Sequence, residues 1–274
     1  MASQEIFQDC YRGRQTALHH MSYMRMAKVL LALDLLERAG IPLEGKAVFD
    51  YGFGAGTFFR YCPMNARLFG VEVDPQNVEA VKAMLFEHGY RNVRLEAIEI
   101  GAWEQHPLLR QKHDVVLCSH VLEHLPDPVS FLRRIRECLA DRGSFVGLVP
   151  LNERRPNPQH VQAVDEAMIR HWAGQAGLKV TCYFEADPWP YWVQPLYTFD
   201  SSLSHKLAQA ISLLLGLPAT ALGHRLWRAM GQAFAMLTFS RPTQAAFVLE
   251  ENDSSQTPPS SNPPSKKIAP RSEP

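Results

Sequence analysis

The sequence predicts a doubly wound α/β protein, and three observations carry that expectation. Short β-rich runs alternate with helical patterns along most of the chain, the order that builds a parallel sheet covered on both faces. Two of the intervening helices open on Asp-Pro, at Asp74-Pro75 and Asp127-Pro128, where a carboxylate can cap the first turn and proline suits the first helical position. A glycine-rich turn, "DYGFGAGTFF", follows the first β-rich run directly.

Taken in order, Arg14 to Ala39 reads as helix, with Leu18, Met21, Met24, Val29, Leu33 and Leu36 near helical spacing and Gly40 and Pro42 ending it. Strands follow at Ala47–Phe49, Leu68–Val73, Val93–Leu95, Asp114–Cys118, Ser144–Val149 and Leu178–Phe184. The helices after Asp74 and Asp127 are expected to close at Gly89 and Gly143. A final apolar run, Gln244 to Glu250, reads as a further strand. The segment from Asn252 to Pro274 is Ser/Pro-rich, lacks a hydrophobic face and is expected to be disordered.

Composition narrows the function. With 274 residues and 46% hydrophobic content the chain can bury one sizeable core with additions. Lys plus Arg and Asp plus Glu balance at 28 each, so no global field draws it to nucleic acid. The five cysteines are scattered, with no Cys-x-x-Cys pair, which suits a reduced cytoplasmic chain. Charges at the N-terminus stand where a signal peptide needs an apolar run.

The glycine turn carries the first chemistry. Asp50, Tyr51, Gly52, Gly54 and Gly56 lie between a strand and a helix, where a tight turn lets backbone N–H groups approach a nucleotide-like ligand. A dinucleotide fingerprint would need Gly-x-Gly-x-x-Gly/Ala, but the third position from Gly52 is Thr57. Asp-x-Gly-x-Gly-x-Gly instead resembles the first motif of class I S-adenosylmethionine-dependent methyltransferases. Glu72, followed by Val73, stands 20 residues after Gly52 at the end of the second strand, where an acid accepts ribose hydroxyls. In the family so resembled, an acid near the end of the third strand binds the adenine amine, a role that falls to Glu99.

"SHVLEHLPDP" contains His-x-x-Glu-His, the inverted zinc-peptidase signature. Pro126 and Pro128 limit the segment to about one turn, too short for that site. The stretch instead looks like the fourth strand and following loop of the methyltransferases that include the ubiquinone-biosynthesis enzymes, a resemblance running from about Lys46 to Phe184. It implies a Rossmann-like fold of seven strands with the last antiparallel, S-adenosyl-L-methionine as cofactor, and Cys118, Ser119 and His120 beneath the cofactor's methionine end. In the ubiquinone O-methyltransferases an acid at the position of His120 joins the matching Glu and His to hold a divalent cation. Here His120 departs, although a histidine can still coordinate a borderline metal. Because His-Val-Leu-Glu-His is also common in relatives that use no metal, no metal is expected, with His120, Glu123 and His124 as the minority alternative. The resemblance places His160 as a general base, with His124 as the second catalytic candidate.

The expected organisation is a helical cap (1–45), a cofactor-binding core (46–186), an apolar helical insertion (187–243), the last strand (244–251) and a tail (252–274). The insertion carries Trp189, Tyr191, Trp192 and Tyr197 and an uncharged run of 17 residues, Leu207 to Gly223, expected to break at Gly216 and Pro218. It suits a lid over a lipophilic acceptor, a peripheral membrane contact or a homodimer face. The function so implied is O-methylation of a small, lipophilic molecule. The alternatives are C- or N-methylation of a lipid, isoprenoid or polyketide, and an inactive cofactor-binding subunit acting through its insertion.

Overall fold

The structure, a computed structural model, describes residue 20 and residues 22–99, 106–153, 159–187, 189 and 202–252. The predicted helix start at Arg14, the aromatic residues Tyr191, Trp192 and Tyr197, and the tail from residue 253 lie outside the described residues. The elements are α1 (Tyr23–Ala39), β1 (Ala47–Tyr51), β2 (Arg67–Glu72), α2 (Pro75–Glu87), β3 (Val93–Ala97), β4 (His113–Ser119), α3 (Pro128–Cys138), β5 (Leu139–Pro150), α4 (Glu166–Gln175), β6 (Leu178–Ala186), α5 (Ser202–Thr238) and β7 (Gln244–Glu251).

They form the expected seven-stranded sheet, in the order β3-β2-β1-β4-β5-β7-β6. β7 runs antiparallel between β5 and β6, and the other pairings are parallel. Strand order reverses between β1 and β4, which makes the crevice outside their carboxyl ends the place where such sheets take a ligand. Alternation along each strand sends Phe49, Val116, Phe145 and Phe247 into a core shared with α3 and α4, and Val48, Val115, Val146 and Val248 into one shared with α1 and α2.

The helix starts follow from their caps. Asp74 accepts from Gln76 N at 3.0 Å, Asp127 from Ser130 N at 3.0 Å and Asp165 from Met168 N at 2.8 Å. Gly89, in the left-handed region at φ 92, ends the α2 segment as expected. Gly143 does not end α3. That helix stops at Cys138, and the chain enters β5 at Leu139. Pairing shifts from His113↔Leu139 to Val115↔Ser144, and Gly143 sits in this bulge, where a Cβ would lie 2.9 Å from His113 O and from Ala140 N.

The insertion differs from its expected form. α5 continues through Gly216 and Pro218, and its break falls at Gly223, with φ 69 and ψ 166. A proline removes one amide donor, whereas only a glycine enters that left-handed conformation without a Cβ penalty. α5 packs on α1. Trp227 lies 5.3 Å from Tyr23 and 5.4 Å from Trp189, and Arg225 and Arg228 pair with Glu37 and Asp34. The other side of α1 rests against β5, β6 and β7, so the N-terminal helix and the insertion form one helical layer beside the carboxyl edge of β6.

Candidate active site

The turn after β1 is held by its glycines. Gly52, Gly54 and Gly56 have φ of 74°, 54° and 66°, values that side chains disfavour. A Cβ on Gly56 would also meet Val81 of α2 at 2.4 Å. Glu72 closes the turn from β2, accepting from Gly54 N and from Val73 N, both at 2.7 Å. Asn77 donates its side-chain amide to Gly54 O, and His20 Nδ1 meets Thr57 Oγ1 at 2.9 Å. Burial raises the pKa of Glu72 against those two backbone bonds, and raises that of Asp50 well above the carboxylate range.

The predicted cofactor residues converge here. Asp50 Oδ1 and Ser119 Oγ are buried with no partner among the described residues, a cost that a ligand offering N–H or O–H groups removes. Tyr51 is buried edge-on against Phe131 at 4.9 Å. Cys118 is fully buried, and burial holds its thiol protonated. Glu99 stands two residues past β3, exposed. It lies at the same edge as Glu72, since Ile98 N donates to Glu72 O at 2.9 Å.

Beyond β4 the chain turns at His120, whose φ of 57 is anchored by its N–H on Leu148 O at 2.8 Å. A hydrogen-bond chain sets its tautomer. Gln244 donates Nε2–H to Asp187 Oδ2 at 2.6 Å, so its Oε1 faces His120 Nε2 at 3.1 Å and accepts that ring proton. His120 Nδ1 then turns a lone pair toward Glu123 Oε1 at 3.6 Å. The far end of the chain is Tyr23 Oη, which donates to Asp187.

The segment after β5 is strapped onto this loop. Val161 N donates to Glu123 O at 2.9 Å, His124 Nδ1 to Gln159 O at 3.1 Å and Gln162 Nε2 to Leu125 O at 3.2 Å. The straps carry His160 to Glu123. His160 Nδ1 donates to Glu153 at 2.7 Å, leaving Nε2 as the lone pair, 4.0 Å from Glu123 Oε1. His124 packs edge-on against His160 at 4.8 Å.

Glu123 is the unusual group. It is wholly buried, and neither carboxylate oxygen accepts a hydrogen bond among the described residues. Burial pushes its pKa up to about 7 against the opposing pull of its own backbone amide and of Lys28. Lys28 is itself pushed down to about 8 by burial. Burial also lowers His120 well below, and His124 below, the usual histidine range.

The ligand atoms that converge to within 4.8 Å of one another belong to Glu123, His124 and His160. His160, rather than the predicted His120, completes this convergence with Glu123 and His124, while His120 keeps its Nδ1 lone pair 3.6 Å from Glu123 Oε1. A second convergence, Asp34, Glu37 and His224, lies on the helical layer among Arg38, Arg225 and Arg228, which already supply its countercharge.

Sequence reading missed Lys28, Glu153 and Gln244. Glu153 alone left a local signal, an acid seven residues before His160 in "NERRPNPQH".

A family model described as a methyltransferase domain matches residues 19–183, more than half of the 274. The chain belongs to the class I S-adenosylmethionine-dependent methyltransferases. A ubiquinone biosynthesis O-methyltransferase of Pseudoalteromonas translucida is 28% identical over 173 residues, 55% of this chain and 70% of that one. Another, from Cereibacter sphaeroides, is 27% identical over 169 residues, 58% of this methyltransferase and 64% of its relative. Among solved structures the cyclase SpnF superposes with a TM-score of 0.55 at 13% identity, covering 81% of this chain and 80% of that one. That likeness shows the fold alone. A cyclase on this scaffold illustrates why fold does not fix chemistry, so assignment to the methyltransferases rests on the family match.

The buried acceptors Asp50 and Glu72 and the positive-φ glycines fit S-adenosylmethionine. The backbone of Gly52–Gly56 and the two carboxylates would hold its amino-acid and ribose groups, and Ser119 and His120 border the crevice between β1 and β4.

Proposed function

We propose that this methyltransferase alkylates a hydroxyl oxygen of a small, predominantly apolar acceptor, with His160 taking the hydroxyl proton. The observation that carries the reading is the line Glu153–His160–Glu123: a ring whose Nδ1–H is held by one carboxylate and whose Nε2 faces a second, buried and without a hydrogen bond. The bound cofactor supplies an electrophilic methyl group on a sulfonium, so the protein's task is alignment, exclusion of water and removal of one proton. Glu153 fixes the tautomer of His160 so that Nε2 accepts. A proton arriving there lies between two carboxylates, which stabilise the imidazolium. The positive charge of Lys28 favours the ionised form of Glu123 and offsets it before the proton moves. The activity of the relatives, O-methylation in ubiquinone biosynthesis, supports an oxygen acceptor on an apolar body.

A second reading rests on the convergence of Glu123, His124 and His160. A divalent ion there would lower the pKa of the acceptor hydroxyl, and no base would be needed.

Both readings meet one experiment. Isotopically methyl-labelled cofactor is incubated with phenolic, aliphatic hydroxyl, amine and carbon acceptors, and products are mapped by mass spectrometry for the wild type, His160→Gln and Glu153→Gln. The expected product is a methyl ether, formed roughly 10²–10⁴-fold more slowly by His160→Gln, with cofactor affinity unchanged. N- or C-methylated products, or full activity of His160→Gln, sink the proposal. Activity lost on chelation and restored by one metal transfers the role to the second reading.

A further inference from the structure

One helix carries most of the exposed apolar surface. Of the twelve large hydrophobic side chains exposed among the described residues, eight belong to α5 and the turn after it. Beyond the break at Gly223, α5 turns Trp227 and Gly231 inward. Its outward stripe holds Leu226, Met230 and Leu237, with Ala229 and Ala233 between them, at helical spacing. The stripe ends in a tip where Met236, Leu237 and Phe239 are 79%, 81% and 90% exposed. Phe239 also holds the left-handed conformation, at φ 53, where glycine would be the relaxed choice.

Charge distinguishes among occupants for this face. From residue 201 to residue 249 the sequence contains no Asp or Glu, while Lys206, Arg225, Arg228 and Arg241 are cationic. Arg225 and Arg228 are tied to α1. Lys206 and Arg241 are exposed, one near each end of the helix. With Arg225 and Arg228 offset by Glu37 and Asp34, the unpaired charges that α5 and its following turn carry among the described residues are the cations Lys206 and Arg241, which a second copy seated symmetrically would meet with no acid from its own α5. The chain's own C-terminal segment passes Asn252 beside Leu178, at the amino edge of the sheet, and bears one large aliphatic residue, Ile268, after that point. The tip lies at the carboxyl edge, five residues before Gln244.

We infer that this face docks on an anionic lipid bilayer, with Met236, Leu237 and Phe239 entering at headgroup depth and Lys206 and Arg241 meeting lipid phosphates. The contact is peripheral, since no described helix is long and apolar enough to cross a membrane. Because β7 starts just after the tip and Gln244 binds His120, docking brings the sheet's carboxyl edge, where the catalytic loop lies, to the membrane surface.

Vesicle flotation tests this without turnover, so its outcome is separate from that of the proposed reaction. The probes are phosphatidylcholine vesicles alone and with about one third phosphatidylglycerol. The wild-type protein is expected to float with the anionic vesicles, less completely as salt rises. The triple variant Met236→Ser, Leu237→Ser, Phe239→Ser is expected to stay in the dense fraction, and Lys206→Glu, Arg241→Glu to float weakly with no preference for anionic lipid. Unchanged cofactor binding by both variants shows that they are folded. Wild-type protein that never floats, or a triple variant that floats equally, overturns the inference. So does a wild-type dimer that the triple variant makes monomeric without any flotation, which assigns the face to a subunit interface.

Discussion

The β1–β3 side of the sheet and its β5–β7 side are built by different kinds of contact. On the first, neighbours in the sheet are neighbours in sequence, and the glycine turn is closed by Glu72, 18 residues from Gly54, and Asn77, 23 residues from it. On the second, His120 reaches Gln244 across 124 residues, Tyr23 reaches Asp187 across 164, and Arg225 reaches Glu37 across 188. Short closures cost less chain entropy than long ones. The glycine turn is therefore set by contacts that form locally, whereas the polar loop and the helical layer are completed by pairings more than 120 residues apart among the described residues.

Three changes test that contrast, the largest effect first. Trp227→Ala removes the ring that packs between Tyr23 and Trp189 in the helical layer, at an expected cost of about 3–5 kcal/mol, read by urea unfolding. If the layer folds apart from the sheet, loss of helical signal precedes loss of cofactor binding; a single coincident transition would show that the two regions are one cooperative unit.

Gly56→Val acts on the other region. Its Cβ would meet Val81 at 2.4 Å with the backbone at φ 66, so calorimetry should show cofactor affinity falling by roughly 100-fold, about 2.8 kcal/mol. An unchanged affinity would mean that the turn tolerates another shape and that the glycines are not what holds the cofactor.

The smallest effect is in pH. Glu123 is ordinarily ionised above 4.5 and is raised to about 7 by burial. The folded state thus binds the extra proton more tightly than the unfolded state. Relative to Glu123→Gln, the wild type should lose stability as pH rises from about 4.5 to about 7, by about 1–3 kcal/mol in all. Denaturation curves at both pH values decide it. A flat difference would mean that Lys28 fully neutralises the carboxylate in the fold.

The sequence by itself determined the sheet, its helix caps, the glycine turn and the acid at the end of β2. These are encoded by patterns of two to four residues or by short fixed spacings: alternation, Asp-Pro starts, glycines at positive φ. The family resemblance brought His160 and His124 into consideration, and Pro126 and Pro128 rejected the peptidase reading. Only the tertiary structure decided that Gly143 makes a bulge, that α5 breaks at Gly223, and that Glu153, Lys28 and Gln244 surround the loop. A buried charge or a tautomer depends on which distant groups share its cavity, and no spacing along the chain records that. The same holds for the exposed face of α5: its apolar residues are plain in the sequence, but which of them the N-terminal helix covers and which it leaves to solvent is settled by how the two helices pack.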